Sequence, residues 1–357
     1  MPAPGRGLLV KSPKGLNAAW AQRVLDAEGV VARVSGARVL DVDVGTTSRV
    51  RFEVDHDGSA PRRWFIKLPS KSFKARAITA LPRLPQTEIR FYLELAQHVP
   101  TRRPRALAAV AAFGRGYTLV LEDLTERGIR PGTPSDTLSF EQASQVCATL
   151  AELHASHWES PRLKGDLAWL AGPVRRLEDG LGSALAVPLM RRGLDRATAV
   201  VPRELRRPAL RYAQRRRQAM RFLAAGPRTL IHHDCHPGNL YWGPGGPGLL
   251  DWQLVRSGEG IGDVAYLLAT ALSPEVRRDH ERALVAGYGQ ALEAAGVPGQ
   301  DFERLWSRYR AHLTYAFEAM VVTLAVGGLM DEEIVSELIR RSALAVAEQE
   351  SFSAFGF

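Results

Sequence analysis

Leu230-Ile231-His232-His233-Asp234-Cys235-His236-Pro237-Gly238-Asn239-Leu240-Tyr241 and, shortly after, Leu249-Leu250-Asp251-Trp252-Gln253 decide how this chain is read. Each piece is an apolar, strand-like run that delivers a carboxylate into a turn. An amide, Asn239, follows the first carboxylate. Pro237 and Gly238 stop the segment after Asp234 from continuing as a helix, so the loop wraps back and brings Asn239 near Asp234. Asn239-Leu240-Tyr241-Trp242 and Gly248-Leu249-Leu250 read as two short strands joined by the turn Gly243-Pro244-Gly245-Gly246-Pro247, a hairpin that returns Asp251 to the side of Asn239. Transfer of a phosphoryl group from a magnesium nucleotide needs a base beside hard oxygen ligands. Asp234 suits the base; Asn239 and Asp251 suit the ligands.

Blander readings compete. Asp and Asn commonly cap Pro/Gly turns, so either residue alone is structural, and the joint spacing is what favours chemistry. A metal site from His232, His233, Asp234 and His236 has suitable ligand types but leaves the rest of the chain unexplained. Cys235 lacks an activating partner in the sequence and reads as a small buried thiol.

His232-x-Asp234-x-x-x-x-Asn239 and Asp251-Trp252-Gln253 resemble the catalytic loop and metal-binding motif of the aminoglycoside phosphotransferase and choline kinase superfamily, a branch of the protein-kinase-like fold. Gln253 is more similar to the ecdysteroid-kinase-like branch. Gly262-Asp263-Val264-Ala265-Tyr266 resembles the segment whose Asp anchors the catalytic loop from a following helix. The three pieces are specific as a set and weak singly. The resemblance implies an α+β, two-lobed protein-kinase-like fold, with an antiparallel β N-lobe carrying a helix and a mainly α-helical C-lobe. It also implies Asp234 as catalytic base, Asn239 and Asp251 as Mg²⁺ ligands, and His232 and Asp263 as supports of the loop.

Upstream, Ala18, Trp20, Val24, Leu25 and Ala27 fit a short amphipathic helix. Strand-like segments follow at 37–44, 49–54 and 63–68, with turns at Gly45-Thr46-Thr47-Ser48 and Asp55-His56-Asp57-Gly58. By itself the first turn is a polar hairpin, although the amides and hydroxyls of Thr46, Thr47 and Ser48 suit a phosphate oxygen. The resemblance places a phosphate-covering loop there, without the several glycines of protein kinases.

Lys67, on the third strand, reads by itself as a solvated outer-face residue. Glu88 lies on a helix whose Ile89, Tyr92, Leu93 and Ala96 repeat at helical spacing. A strand lysine followed by a helix glutamate is similar to the ion pair that holds the α and β phosphates of ATP in kinase-like proteins. Glu94 points to a different helix face. Two more strands, at 110–113 and 117–121, lead into Glu122-Asp123-Leu124. The resemblance makes this the linker between lobes, where the backbone of Glu122 and Leu124 would meet the adenine. Backbone contacts of this kind do not separate ATP from GTP. The boundary falls near Asp123, with residues 1–123 as the nucleotide-binding N-lobe and 124–357 as the C-lobe that carries the catalytic loop, metal site and acceptor region.

From Phe140 the pattern is helical, and His154 and His157 fall with an apolar stripe as core residues. Trp306, Tyr309, His312, Tyr315 and Phe317 also sit at helical spacing, more as core than as site. In the family, helical inserts of this lobe build the acceptor pocket.

Composition narrows the partners. The 357 residues are 45% hydrophobic and 24% charged, enough for a large core and for two domains. Two cysteines argue for a reducing compartment and against a disulfide framework. Residues 1–14 lack the apolar core of a signal peptide, and 320–330 is too short and interrupted to span a bilayer, so a cytoplasmic protein without a membrane partner is expected. The net charge of +9 raises a nucleic-acid reading. Much of the excess lies at 191–221 without interleaved aromatics to stack bases, so the run reads as a solvated helix face and argues against nucleic acid.

The expected partner is a hydroxylated small-molecule acceptor. A basic chain speaks weakly against polycationic aminoglycosides and, with Gln253, favours a neutral or lipophilic alcohol. Antibiotic-resistance and choline-type kinases are the alternatives. A nucleotide-binding module without turnover is the rival of another class.

Overall fold

The computed structural model describes residues 7–44, 47–70, 83–112 and 116–357, and these form two compact units. The first comprises Met1–His98, Arg103–Pro131 and Leu250–Gln253. It opens with α1 (Ala18–Ala27), whose first turn is capped when Asn17 accepts from the Trp20 N–H. Strands β1 (Val34–Val44), β2 (Thr47–His56) and β3 (Arg63–Pro69) precede α2 (Leu84–Glu94), and β4 (Ala106–Ala112) and β5 (Gly116–Glu122) follow it. The strands form one antiparallel sheet in the order β1-β2-β3-β5-β4. Period-two alternation selects its core face: Val50, Phe52 and Val54 are buried between the exposed Arg49, Arg51 and Asp55. There Trp20, Phe52 and Trp64 pack at ring separations of 5.9–6.1 Å, tilted or edge-on. Burying each such side chain contributes roughly 2–3 kcal/mol.

The second unit comprises Val99–Arg102, Gly132–Leu249 and Leu254–Phe357. Its helices are α3 (Phe140–Ala155), α4 (Pro173–Arg196), α5 (Arg206–Gln214), α6 (Arg216–Leu223), α7 (Ile261–Ala271), α8 (Pro274–Ala294), α9 (Phe302–Val326) and α10 (Glu332–Glu348). Ser139 and Gln142 close a capping box on α3. Two small ladders interrupt the helices. Strand β6 (Thr229–Ile231) pairs antiparallel with β9 (Arg256–Gly258), and β7 (Leu240–Gly243) pairs with β8 (Gly246–Leu249). The chain is thus an α+β protein with a five-stranded antiparallel sheet in one unit and a helical second unit, the class expected of a kinase-like fold.

Local expectations shift in four places. Thr47 and Ser48 are not turn residues: they open β2, are buried, and pair with Pro69 and Leu68. The β2–β3 ladder extends to Thr47 because both side chains find cover. The hairpin before Asp251 closes with Gly243 opposite Gly246, so Pro244-Gly245 alone makes the turn and Gly246 takes φ +104°. Asn239 belongs to a 3₁₀ turn, Pro237–Asn239, rather than to a strand. Within 191–221, Arg191, Arg207, Arg215 and Arg217 are exposed, but Arg216 is buried and ion-paired with Glu318.

Candidate active site

The sequence-selected residues collect into two clusters, one in each unit. In the first, Lys67 projects from β3 as a buried residue rather than the solvated one that strand position alone suggests. Its Nζ lies 2.8 and 2.9 Å from the two carboxylate oxygens of Glu88 and 3.2 Å from Asp251 Oδ1. Two of these contacts are hydrogen bonds to Glu88, and the third is an ion pair with Asp251. Burial alone would push Lys67 down, but Asp251 and Glu88 outweigh it and hold the ammonium above its ordinary value. Glu88 is itself pushed up to about 7, by burial first, against the pull of Lys67. Glu94 turns away and pairs with Arg90, one helical turn behind it.

Asp251 is held in place through the residue that follows it. The next residue, Trp252, donates its backbone N–H to Glu88 Oε1 at 3.3 Å and stacks on Phe91 at 4.0 Å and 7° between planes. Asp251 itself adopts φ +58°, a left-handed conformation that Asp tolerates better than most residues.

In the segment expected to be the linker, Glu122 accepts from the Arg105 backbone N–H and pairs with Arg127, and Leu124 is buried at the start of a 3₁₀ turn; residues 103–131 all belong to the first unit. Of the three hydroxyl residues expected to cover phosphates, Thr46 lies outside the described residues. Ser48 directs its hydroxyl to the Pro69 carbonyl at 3.3 Å, and Thr47 is buried.

The second cluster is the loop after β6. Asp263, fully buried on α7, accepts from the backbone N–H of His232 through Oδ2 and of His233 through Oδ1, both at 2.7 Å. One carboxylate thereby satisfies two successive amides that the turn leaves without ladder partners. Asp234 follows, with its side chain 15% exposed. Asn239 donates from Nδ2 to the Asp234 carbonyl at 2.8 Å and to Asp234 Oδ2 at 3.1 Å. Both amide protons of Asn239 are then used, and its carbonyl oxygen is the atom left for a cation.

Sequence reasoning missed two members of this cluster. Tyr266 donates its hydroxyl to Asp234 Oδ1 at 3.0 Å. His154, assigned to the core stripe, is indeed buried but bridges Asp263 Oδ2 at 3.2 Å and the Tyr288 hydroxyl at 2.8 Å. Tyr266 had a signal, its position one helical turn after Asp263; a lone histidine in an apolar stripe had none.

His233, between the loop support and Asp234, takes φ +71° and stacks on Tyr315 at 4.4 Å. Its Nε2 is buried and makes no hydrogen bond. Burial, followed by nearby Arg256, Arg175, His312 and Arg216, pushes its pKa well below the ordinary range, so the ring is neutral. These arginines are themselves neutralised: Arg175 pairs with Glu178 at 2.7 Å, Arg256 with Asp179 at 2.7 Å, and Arg216 with Glu318.

Among the described residues no group of three or more His, Cys, Asp or Glu side chains is arranged to hold a metal ion, and the four-residue His/Asp site finds no support. Cys235 is fully buried, and burial foremost raises its thiol well above the ordinary range, which removes it as a nucleophile. The amide oxygen of Asn239 in one unit and the carboxylate of Asp251 in the other are each hard oxygen donors of the kind Mg²⁺ takes.

A sequence model described as the phosphotransferase enzyme family matches residues 42–325. No curated protein matches the chain. Among solved structures, choline kinase from Cryptosporidium parvum Iowa II aligns with a TM-score of 0.50 and 11% identity, over 89% of each chain. Ethanolamine kinase from Plasmodium vivax aligns at 0.49 and 10% identity, over 96% of this chain and 90% of its own. The GDP complex of wild-type aminoglycoside 2'-phosphotransferase-IIIa aligns at 0.49 and 13%, over 92% and 98%. At such identities the likeness to choline kinase speaks for the fold alone.

Proposed function

The chain belongs to the phosphotransferase enzyme family and is an enzyme that phosphorylates a small-molecule hydroxyl; we propose that it does so with ATP and Mg²⁺, using residues 1–123 for the nucleotide and 124–357 for catalysis and the acceptor. The observation that carries this is the buried contact of Lys67 with Glu88 and Asp251. A buried ammonium between two carboxylates is weak as a stabilising device, because desolvation offsets most of the Coulombic gain. It makes sense as a prepared phosphate site. Lys67, oriented by Glu88, would offer its ammonium to the α and β phosphates.

Asn239 and Asp251 would each offer an oxygen to Mg²⁺, which would supply charge neutralisation on the phosphates. The backbone of Glu122 and Leu124 would meet the base of ATP or GTP. Asp234 aligns the acceptor hydroxyl and takes its proton late. The acceptor oxygen bonds to the γ-phosphorus as the bond to the β,γ-bridging oxygen breaks, and the nucleoside diphosphate leaves. His232 and Asp263 keep the loop in place. Catalysis is therefore mostly positioning plus electrostatics.

For the acceptor, the neutral His233, next to Asp234 in the chain, and the ion-paired arginines near His233 favour an uncharged alcohol over a polycation. The similarity to an ecdysteroid-kinase-like enzyme stands on Gln253. A cytoplasmic setting agrees with two free, buried cysteines. No described helix is long and apolar enough to cross a membrane.

The test is a thermal-shift titration with ATP and GTP, with and without Mg²⁺, on the wild type, Asp251→Ala and Asp234→Ala. It is followed by transfer assays on a panel of choline, ethanolamine, kanamycin, erythromycin and a steroid alcohol. Nucleotide at a hundred times its Kd adds about 2.7 kcal/mol of stability. Asp251→Ala is expected to lose the metal-dependent part of that shift. Asp234→Ala is expected to keep it while losing turnover by about 10³-fold. Full turnover in Asp234→Ala refutes the assignment of the base. Nucleotide binding by the wild type without transfer to any alcohol supports the non-catalytic module instead.

A further inference from the structure

Asp234 has two carboxylate oxygens, and each accepts one hydrogen bond from a side chain: Oδ2 from Asn239 Nδ2 at 3.1 Å and Oδ1 from the Tyr266 hydroxyl at 3.0 Å. His236 Nε2, at 3.9 Å from Oδ2, is too far to add a third. Rotation about the Cβ–Cγ bond breaks both bonds at once, so the carboxylate plane is fixed. A carboxylate offers about four lone-pair directions. Two are taken, and one on each oxygen stays free for a substrate proton.

Tyr266 is buried on α7, three residues after Asp263, so one face of one helix carries both. Asp263 holds the loop backbone at His232 and His233, and Tyr266 holds the carboxylate of the next residue. The hydroxyl remains protonated: burial first, then the charge of Asp234, raises it well above the ordinary tyrosine value. Tyr266 therefore donates at every working pH. Its ring is also braced, 6.2 Å from that of Tyr315.

We propose that Tyr266 is a positioning residue for phosphoryl transfer, fixing the rotation of the Asp234 carboxylate so that a free lone pair meets the acceptor hydroxyl. The inference rests on Asp234 being the base of an alcohol kinase. Without Tyr266, that rotation is opposed by the single bond from Asn239. A displacement of about 1 Å at a reacting group costs up to about 10²-fold in rate.

The test is Tyr266→Phe, which removes one oxygen and keeps the ring, assayed with whichever alcohol of the panel above the wild type phosphorylates. Turnover is expected to fall about 10- to 100-fold, while KM for the nucleotide and the alcohol stay within about two-fold. A packing defect would instead lower the melting temperature or move both KM values. The same substitution in the Asp234→Ala background guards against a folding artefact. There Tyr266→Phe is expected to change the residual rate less than about two-fold, because the group it positions is gone. Wild-type turnover in Tyr266→Phe, or an equal loss in both backgrounds, overturns the inference and leaves the kinase assignment standing. A wild type that transfers to no alcohol takes down the kinase assignment and this inference together.

Discussion

His233 concentrates three costs in one residue. Its backbone is left-handed, its Nε2 is buried without a partner, and its ring is held neutral beside arginines. Conformations of this kind cost about 1–3 kcal/mol and persist where surroundings over-determine them. The pKa of His233 in the folded chain lies below its unfolded value of 6.5, so its contribution to stability is complete above that pH. It is lost as pH falls through the depressed folded value, where the unfolded chain binds the proton first. Melting temperature is therefore expected to decline from about pH 7 to pH 5 in the wild type and less steeply in His233→Asn, which tolerates the same backbone. Parallel curves for the two proteins would show that His233 does not carry this dependence.

At the scale of elements, α7 acts as a splint, since Asp263 and Tyr266 lie one helical turn apart and grip successive residues of the loop. His154 of α3 and Tyr288 of α8 extend the grip by fixing Asp263 from behind. Asp263→Asn replaces one acceptor oxygen by a donor and strands a buried N–H. A loss of about 3 kcal/mol in urea-unfolding free energy is expected, since an unsatisfied buried group and a lost charge-assisted bond each cost roughly 1–3 kcal/mol. A change under about 1 kcal/mol would mean that the loop is held by other contacts. The loop motif and its anchoring Asp were legible because they are local signatures. The splinting by Tyr266 and His154 was less so, since contacts 32 and 109 residues apart leave no periodic trace.

For the molecule as a whole, the net charge of +9 is the property that most invites a wrong partner. Ion pairs leave that net value unchanged, but they lock some of the arginines inside the helical unit, as at Arg216–Glu318, Arg256–Asp179 and Arg277–Glu281, so the arginine count overstates the cationic surface. Fluorescence anisotropy with a labelled DNA duplex is expected to show no retention at about 0.15 M salt, where sequence-independent contacts are already screened. Salt-sensitive, micromolar binding would return the nucleic-acid reading to consideration.

Sequence by itself determined the class of fold and the two motifs, because period-two strands, helical stripes and a Pro/Gly-broken loop are properties of neighbouring residues. It also picked Glu88 over Glu94, since helix geometry sends the two to different faces. Tertiary structure alone decided that Lys67 is buried rather than solvated, that Ser48 spends its hydroxyl on Pro69, and that Tyr266 and Asn239 share the two oxygens of Asp234. The physical reason is the same in each case. A polar side chain removed from water must find its partner wherever packing places one, and that choice is made in space rather than along the chain.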